Sequence, residues 1–170
     1  MSGVTFKGEE VDILGGFLKE RELAPDFILV NKDLITMTLE NFKDRVKLIA
    51  TVPSLDTPVC SMETKELADI AKEHPHLAVI VISKDLPFAQ SRFCNTEGIE
   101  NITVLSDIRP NSNFAKDYGV LIGSTVLEGL FTRSILVLDK HDKVVYSVMF
   151  PEITEKPDLK PAIDALKHLY

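Results

Sequence analysis

The sequence predicts an α/β fold: a central mixed β-sheet flanked by helices, with an added β-hairpin at the N-terminus. Three observations predict it. The runs Val46 to Val52 and Leu77 to Ile82 have strand length, and the second is almost uniformly apolar, as in a central strand covered on both faces. Helical signals follow each run, so strand and helix alternate. Val4 to Ile13 alternates around Lys7-Gly8-Glu9-Glu10, a hairpin signal.

Length and composition set the frame. A chain of 170 residues points to a single domain spanning residues 1–170, large enough for a full core. Hydrophobic residues make up 45% and charged residues 26%, ordinary for a soluble globular protein. The formal net charge of -7 argues against a nucleic-acid backbone as partner. No apolar run approaches the roughly 18 residues of a membrane span. The first residues lack a basic region followed by an apolar stretch, so no signal peptide is expected and the expected location is the cytoplasm.

After the hairpin, Gly15-Gly16 breaks the pattern, and Lys19 to Pro25 is a charged connector. Ile28-Leu29-Val30 and Leu34 to Leu39 read as short strands about the turn Asn31-Lys32-Asp33. Asn41 to Arg45 is polar and precedes the Val46 strand. The next helix starts after Thr57, a good N-cap, with Pro58 suited to the first helical position. It buries Leu67, Ile70 and Ala71 at helical spacing and ends near His74-Pro75. Asp85 can cap the following helix, which carries Phe88, Phe93 and Cys94 and stops near Gly98.

Ile102 to Leu105 is the next strand. Asn113 to Tyr118 is a short helix closed by Gly119, and Leu121 to Gly129 is loop-like. Ser134 to Asp139 and Val144 to Phe150 flank a turn and form an antiparallel pair. Leu159 to Tyr170 reads as an amphipathic closing helix with Ile163, Leu166 and Leu169 on one face. This order of elements is that of a thioredoxin-like fold.

The chemistry concentrates at Pro53-Ser54-Leu55-Asp56-Thr57-Pro58-Val59-Cys60. Cys60 falls in the first turn of a helix, where N–H groups are unpaired and the helix dipole is positive. A sulfur there is favoured as thiolate, the nucleophilic form. The bland alternative is an inert, half-buried thiol. A permanent structural disulfide to Cys94 is not expected in a reducing compartment. Arg133 opens an otherwise apolar strand and, on sequence alone, reads as a surface charge at a strand end. Pro53 reads as a strand terminator, Val59 as packing, Cys94 as a buried thiol. No haem, flavin, nicotinamide or phosphate-loop pattern occurs, and His74 and His76 lack partners for a metal site, so no cofactor is expected.

Pro53, Thr57 and Cys60 match the Pro-x-x-x-Thr-x-x-Cys signature of the peroxiredoxins. The wording resembles the thiol peroxidase branch, the atypical two-cysteine group, through Asp85-Leu86-Pro87-Phe88-Ala89-Gln90, Arg92-Phe93-Cys94, Lys116 to Val120 and the Arg133 strand. The resemblance covers nearly the whole chain. It implies that Cys60 is the peroxidatic nucleophile and Cys94 the resolving cysteine, joined during turnover by an intrachain disulfide. It implies that Thr57 holds the thiolate and orients the peroxide, using a proton its cap does not need. Arg133 would lower the thiol pKa and stabilise charge on the breaking O–O bond. Pro53 would shield the sulfur, and the Val59 N–H would help form the peroxide site.

The expected substrates are hydrogen peroxide and alkyl or lipid hydroperoxides, in a pocket lined from Leu121 to Phe131 and by a partner subunit. The expected partners are a thioredoxin-type reductant and a second copy of the chain, with Asp107, Ile108, Arg109 and Asn111 as interface candidates. Because Cys60 begins one helix and Cys94 nearly ends the next, a disulfide requires local unwinding at both. Two other readings compete: a thioredoxin-like disulfide oxidoreductase, which needs Cys-x-x-Cys where this chain has Glu63, and a binding module with incidental thiols.

Overall fold

The computed structural model describes residues 2–169. In chain order the strands and helices are β1 (Thr5–Phe6), β2 (Glu9–Glu10), β3 (Ile13–Leu14), β4 (Leu29–Asn31), β5 (Thr36–Met37), β6 (Lys47–Thr51), α1 (Pro58–Glu73), β7 (Ala78–Ser83), α2 (Pro87–Glu97), β8 (Thr103–Ser106), α3 (Phe114–Asp117), β9 (Leu121–Ile122), β10 (Ser134–Leu138), β11 (Val144–Met149) and α4 (Lys160–Leu166). Seven strands form one mixed sheet in the order β11-β10-β6-β7-β8-β4-β5. Strands β6, β7 and β8 are parallel, and the antiparallel strands β10 and β4 flank them. This is the expected thioredoxin-like α/β arrangement, and β1 and β2 form the expected added hairpin.

The apolar runs work as read. Every residue of β6, β7 and β10 is buried. Their side chains alternate between two cores. Leu48, Ala50, Val79, Val81, Ile135 and Val137 pack with α1, α2 and α4. On the other face Ile49, Ile80, Ile82 and Leu136 meet Phe27, Phe114 and Tyr118.

The ends of elements depart from expectation in three places. Asp85 does not cap α2: Leu86 is the N-cap residue and no side chain caps it. The stretch before β6 folds as a 3-10 turn, Leu39–Phe42, that buries Leu39 and Phe42. The closing helix is shorter than read, ending at Leu166; of its expected face only Leu166 is fully buried, and Tyr170 lies outside the described residues.

One ion pair lies inside the sheet. Lys47, wholly buried in β6, meets Asp142, whose side chain is 31% exposed, in the β10–β11 turn. Removing the anion strands a buried ammonium, which costs more than replacing the cation by a hydrocarbon. Asp142 has φ 66, a conformation asparagine tolerates. Asp142→Asn is therefore expected to lower stability by about 2 kcal/mol, less than a fully buried pair because the carboxylate is partly solvated. Lys47→Met should cost less than Asp142→Asn, and urea unfolding of both would reveal the opposite order if the pair were merely a surface contact.

Candidate active site

The site is built where β6 ends and β10 begins. Thr51 and Ser134 are register partners, and their hydroxyls hydrogen-bond at 2.5 Å. The chain leaving β6 therefore starts beside the residue that enters β10, Arg133. After β6, Pro53 and Leu55 are buried and the loop turns into α1. Thr57 is the N-cap in extended conformation, and Pro58 fills the first helical position. The Thr57 hydroxyl accepts from the Cys60 N–H at 3.3 Å, which fixes the cysteine in the first turn.

That hydroxyl also donates to the Ser54 carbonyl at 3.1 Å. Its single proton is thus engaged, contrary to the expectation of a free one. To reach another acceptor the hydroxyl must turn away from Ser54.

Cys60 is 0% exposed and Arg133 only 2% exposed, so the arginine is no surface charge. The guanidinium is held by three groups. Its Nε and Nη2 donate to the Ile153 carbonyl at 3.2 and 2.8 Å. Its Nη1 donates to Glu63 Oε2 at 2.8 Å and to Cys60 Sγ at 3.2 Å. The Ile153 carbonyl and Glu63 together fix the charge against the sulfur.

Asp85 has a different task from the expected cap. Its carboxylate accepts from the Ser54 hydroxyl at 2.7 Å, the Leu55 N–H at 2.8 Å and the Ser83 hydroxyl at 2.8 Å. It pins the Cys60 loop to the end of β7.

Over the loop lies an apolar cavity of about 300 Å³. Pro53, Thr57, Pro58, Val59 and Arg133 line one side; Phe6, Leu127, Ile153 and Thr154 line the other. Of the expected Leu121 to Phe131 wall only Leu127 takes part. Phe131 faces the opposite core, where it packs on Phe114. The N-terminal hairpin and the 153–154 turn supply what was assigned to that loop.

Cys94 shares the apolar cluster of Cys60, but it lines a different cavity with Lys32, Asp33 and Met37. Both thiols are free. Burial pushes the Cys94 thiol up, and Lys32 opposes this only in part. The Cys94 carbonyl accepts the closing bonds from Gly98 and Ile99 N–H, so the last turn of α2 closes onto this residue. Among the interface candidates, Asp107 is 3% exposed and paired with Lys84, so it presents no surface; Ile108 is 38% exposed.

Glu63 escaped the sequence reading. It is 0% exposed, and burial raises its carboxyl from 4.5 to about 7, opposed by the charge and hydrogen bond of Arg133. A signal existed: Cys60, Glu63, Thr64 and Leu67 follow helical spacing on the buried face of α1. A glutamate there needs a partner.

The comparisons with known proteins agree with this geometry. The Redoxin family model matches residues 19–163. The chain is 43% identical over 166 residues to the thiol peroxidase of Aquifex aeolicus (strain VF5), covering 98% of this chain and 97% of that one. It is 42% identical over 167 residues to a thiol peroxidase of Leptospira interrogans, covering 97% of each. Among solved structures, the peroxiredoxin-like protein from Aquifex aeolicus superposes with a TM-score of 0.92 at 43% identity, over 98% of this chain and 96% of that one. The thiol peroxidase from Chromobacterium violaceum superposes with a TM-score of 0.90 at 29% identity, over 97% and 95%. The chain belongs to the Redoxin family, within its thiol peroxidase branch. It is a peroxiredoxin-type enzyme.

Glu63 makes a pH prediction with a defined sign. Its folded pKa lies above its unfolded value, so the folded state binds more protons between about 4.5 and 7. Its contribution to stability therefore falls as pH rises through that window and is level above it. Glu63→Gln should flatten this part of the profile. Urea midpoints at pH 5, 6, 7 and 8 test it; equal slopes in both proteins would contradict the assignment.

Proposed function

We propose that the chain is a thiol-dependent peroxidase in which Cys60 reduces hydroperoxides and Cys94 resolves the product. The observation that carries this reading is the Arg133 Nη1 contact with Cys60 Sγ at 3.2 Å, made at a helix start beside an apolar cavity. A fixed guanidinium and a helix N-terminus both favour anionic sulfur.

The steps follow from the chemistry. The Cys60 thiolate attacks the terminal oxygen of a hydroperoxide. The S–O bond forms as the O–O bond breaks, and the leaving alkoxide or hydroxide takes a proton and departs as alcohol or water. Cys60 is left as sulfenic acid. Arg133, already aimed at the sulfur, stabilises negative charge spreading over the two oxygens. The Thr57 hydroxyl turns from Ser54 to hold the peroxide, and the Val59 N–H and the Pro53 ring complete the pocket. Cys94 then attacks the sulfenic sulfur, water leaves and an intrachain disulfide forms. A thioredoxin-type dithiol returns both thiols, with the cytoplasm as the expected setting.

Two features of the site bear on the details. The apolar walls Phe6, Leu127 and Ile153 suit an alkyl or lipid hydroperoxide as well as hydrogen peroxide. Both thiols are buried near the ends of different helices, Cys60 beneath the apolar cavity's loop and Cys94 at a separate cavity, which supports a disulfide step that unwinds the first turn of α1 and the last turn of α2. A homodimer with Ile108 near its interface belongs to the same proposal. The disulfide-oxidoreductase alternative loses ground at Glu63: the position that would carry a second cysteine holds a carboxylate committed to Arg133.

The deciding experiment follows peroxide consumption with a dithiol protein as donor. Cys60→Ser should abolish turnover. Cys94→Ser should consume one equivalent of peroxide and stall as sulfenic acid. Arg133→Met should slow the first oxidation by about 10²- to 10³-fold, the scale of one lost transition-state donor. Steady turnover by Cys60→Ser would overturn the proposal.

A further inference from the structure

The N-terminal hairpin forms part of the cavity wall, yet its own strand pairing does little to hold its turn in place. Strands β1 and β2 are two residues each, and β2 is exposed throughout. Such a hairpin is marginal by itself. Its turn is also strained: Lys7 has φ 52, beside Gly8 at φ 83.

One side chain meets this turn. The Glu152 carboxylate accepts from the Gly8 N–H at 2.9 Å, the Lys7 N–H at 3.3 Å and the Thr5 hydroxyl at 2.9 Å. It also accepts from the N–H and hydroxyl of Thr154, at 2.8 and 2.7 Å. The N–H and hydroxyl of Thr154, the Gly8 N–H and the Thr5 hydroxyl hold the carboxyl well below the usual range, at about 2, so it is anionic in any neutral solution. Two backbone bonds complete the clamp: Thr5 N–H to the Pro151 carbonyl and Ile153 N–H to the Thr5 carbonyl. The clamped parts belong to the cavity lining itself, Phe6 from the hairpin and Ile153 with Thr154 from the turn after β11.

We propose that Glu152 is a specificity-determining positioning residue: by clamping the Lys7–Gly8 turn to the 153–154 turn it fixes the Phe6 wall and sets how well bulky apolar hydroperoxides are used relative to hydrogen peroxide. This rests on the peroxidase reading above. Hydrogen peroxide needs only the groups at the sulfur. A bulky alkyl group also needs a wall to pack against, and a loosened wall removes apolar contact from the larger substrate alone.

The test compares kcat/KM for cumene hydroperoxide and hydrogen peroxide. Glu152→Ala should lower the cumene-to-hydrogen-peroxide ratio by about tenfold, through KM more than kcat. Glu152→Gln keeps the side-chain volume and one acceptor oxygen, so its ratio should fall by only about threefold. The double variant with Phe6→Ala should be no worse than Phe6→Ala alone, because both act through one wall. An unchanged ratio in a folded Glu152→Ala overturns the inference, as does an equal loss for both peroxides or an additive double variant. Should Glu152→Ala not fold, an unchanged ratio in Glu152→Gln overturns it equally. Failure of the wild type to consume either peroxide would instead sink the peroxidase reading.

Discussion

The buried guanidinium of Arg133 is the constraint around which this structure is arranged. A cation at 2% exposure is unfavourable unless each of its faces finds a partner. Two distant segments supply them: α1, through Glu63 and the Cys60 sulfur, and the chain after β11, through the Ile153 carbonyl. The sheet makes this possible. Arg133 directly precedes β10, which lies between β6, leading to Cys60, and β11, leading to Ile153. The arginine is thus set between the chain that carries the sulfur and the chain that carries its anchor. Burial raises the Glu63 carboxyl, and the charge and hydrogen bond of Arg133 oppose that rise, so each group depends on the other for its place in the interior.

The same burial creates a tension with turnover. A sulfur at 0% exposure is shielded, and Cys94 is closed within the end of another helix. Yet the elements that carry the two thiols are held at those points by few bonds. The first turn of α1 depends on the Thr57 cap and on Pro58, which has no N–H to donate. The last turn of α2 closes through Gly98, at φ 65, onto the Cys94 carbonyl. Helix ends open at far lower free energy than cores. Asp85 fixes the loop before Cys60 but makes no bond to α1, so motion can be confined to the helix start while Ser54 and Leu55 stay in place.

What the sequence revealed follows the range of the interactions. Strand runs, the Thr57-Pro58 helix start, the Lys7-Gly8 turn and the glycine at the end of α2 are local signals, and each element formed as read. Gly15 was legible only as a break; a Cβ there would stand 2.3 Å from the Lys116 carbonyl oxygen, a reason no local pattern carries. The burial of Arg133 was not legible either. Its partners Cys60 and Glu63 are 73 and 70 residues away, so a surface charge and a buried one look alike in the chain. Asp85 misled for the same reason: a position fit for capping was used to bind Ser54 and Leu55, about thirty residues earlier. The cavity wall was assigned to Leu121–Phe131 because that stretch is apolar and irregular, but Phe131 satisfies its burial on the other face of the sheet.

The hairpin shows how an addition to a fold acquires a place in it. Its far end is secured independently of Glu152. Strand β3 pairs with β9, the Asp12 N–H donates to Ser124 Oγ at 2.8 Å, and Val4 and Val11 pack with Ile122 and Ile153. Fastened on both flanks, the hairpin presents Phe6 to the cavity without touching the hydrogen bonds that fix Arg133. The Ile153 residue is where the two systems meet: its side chain belongs to the wall, and its carbonyl belongs to the guanidinium. That division separates the determinants of substrate shape from those of sulfur chemistry. The outer wall can change by substitution while the charge at the sulfur stays where the sheet puts it.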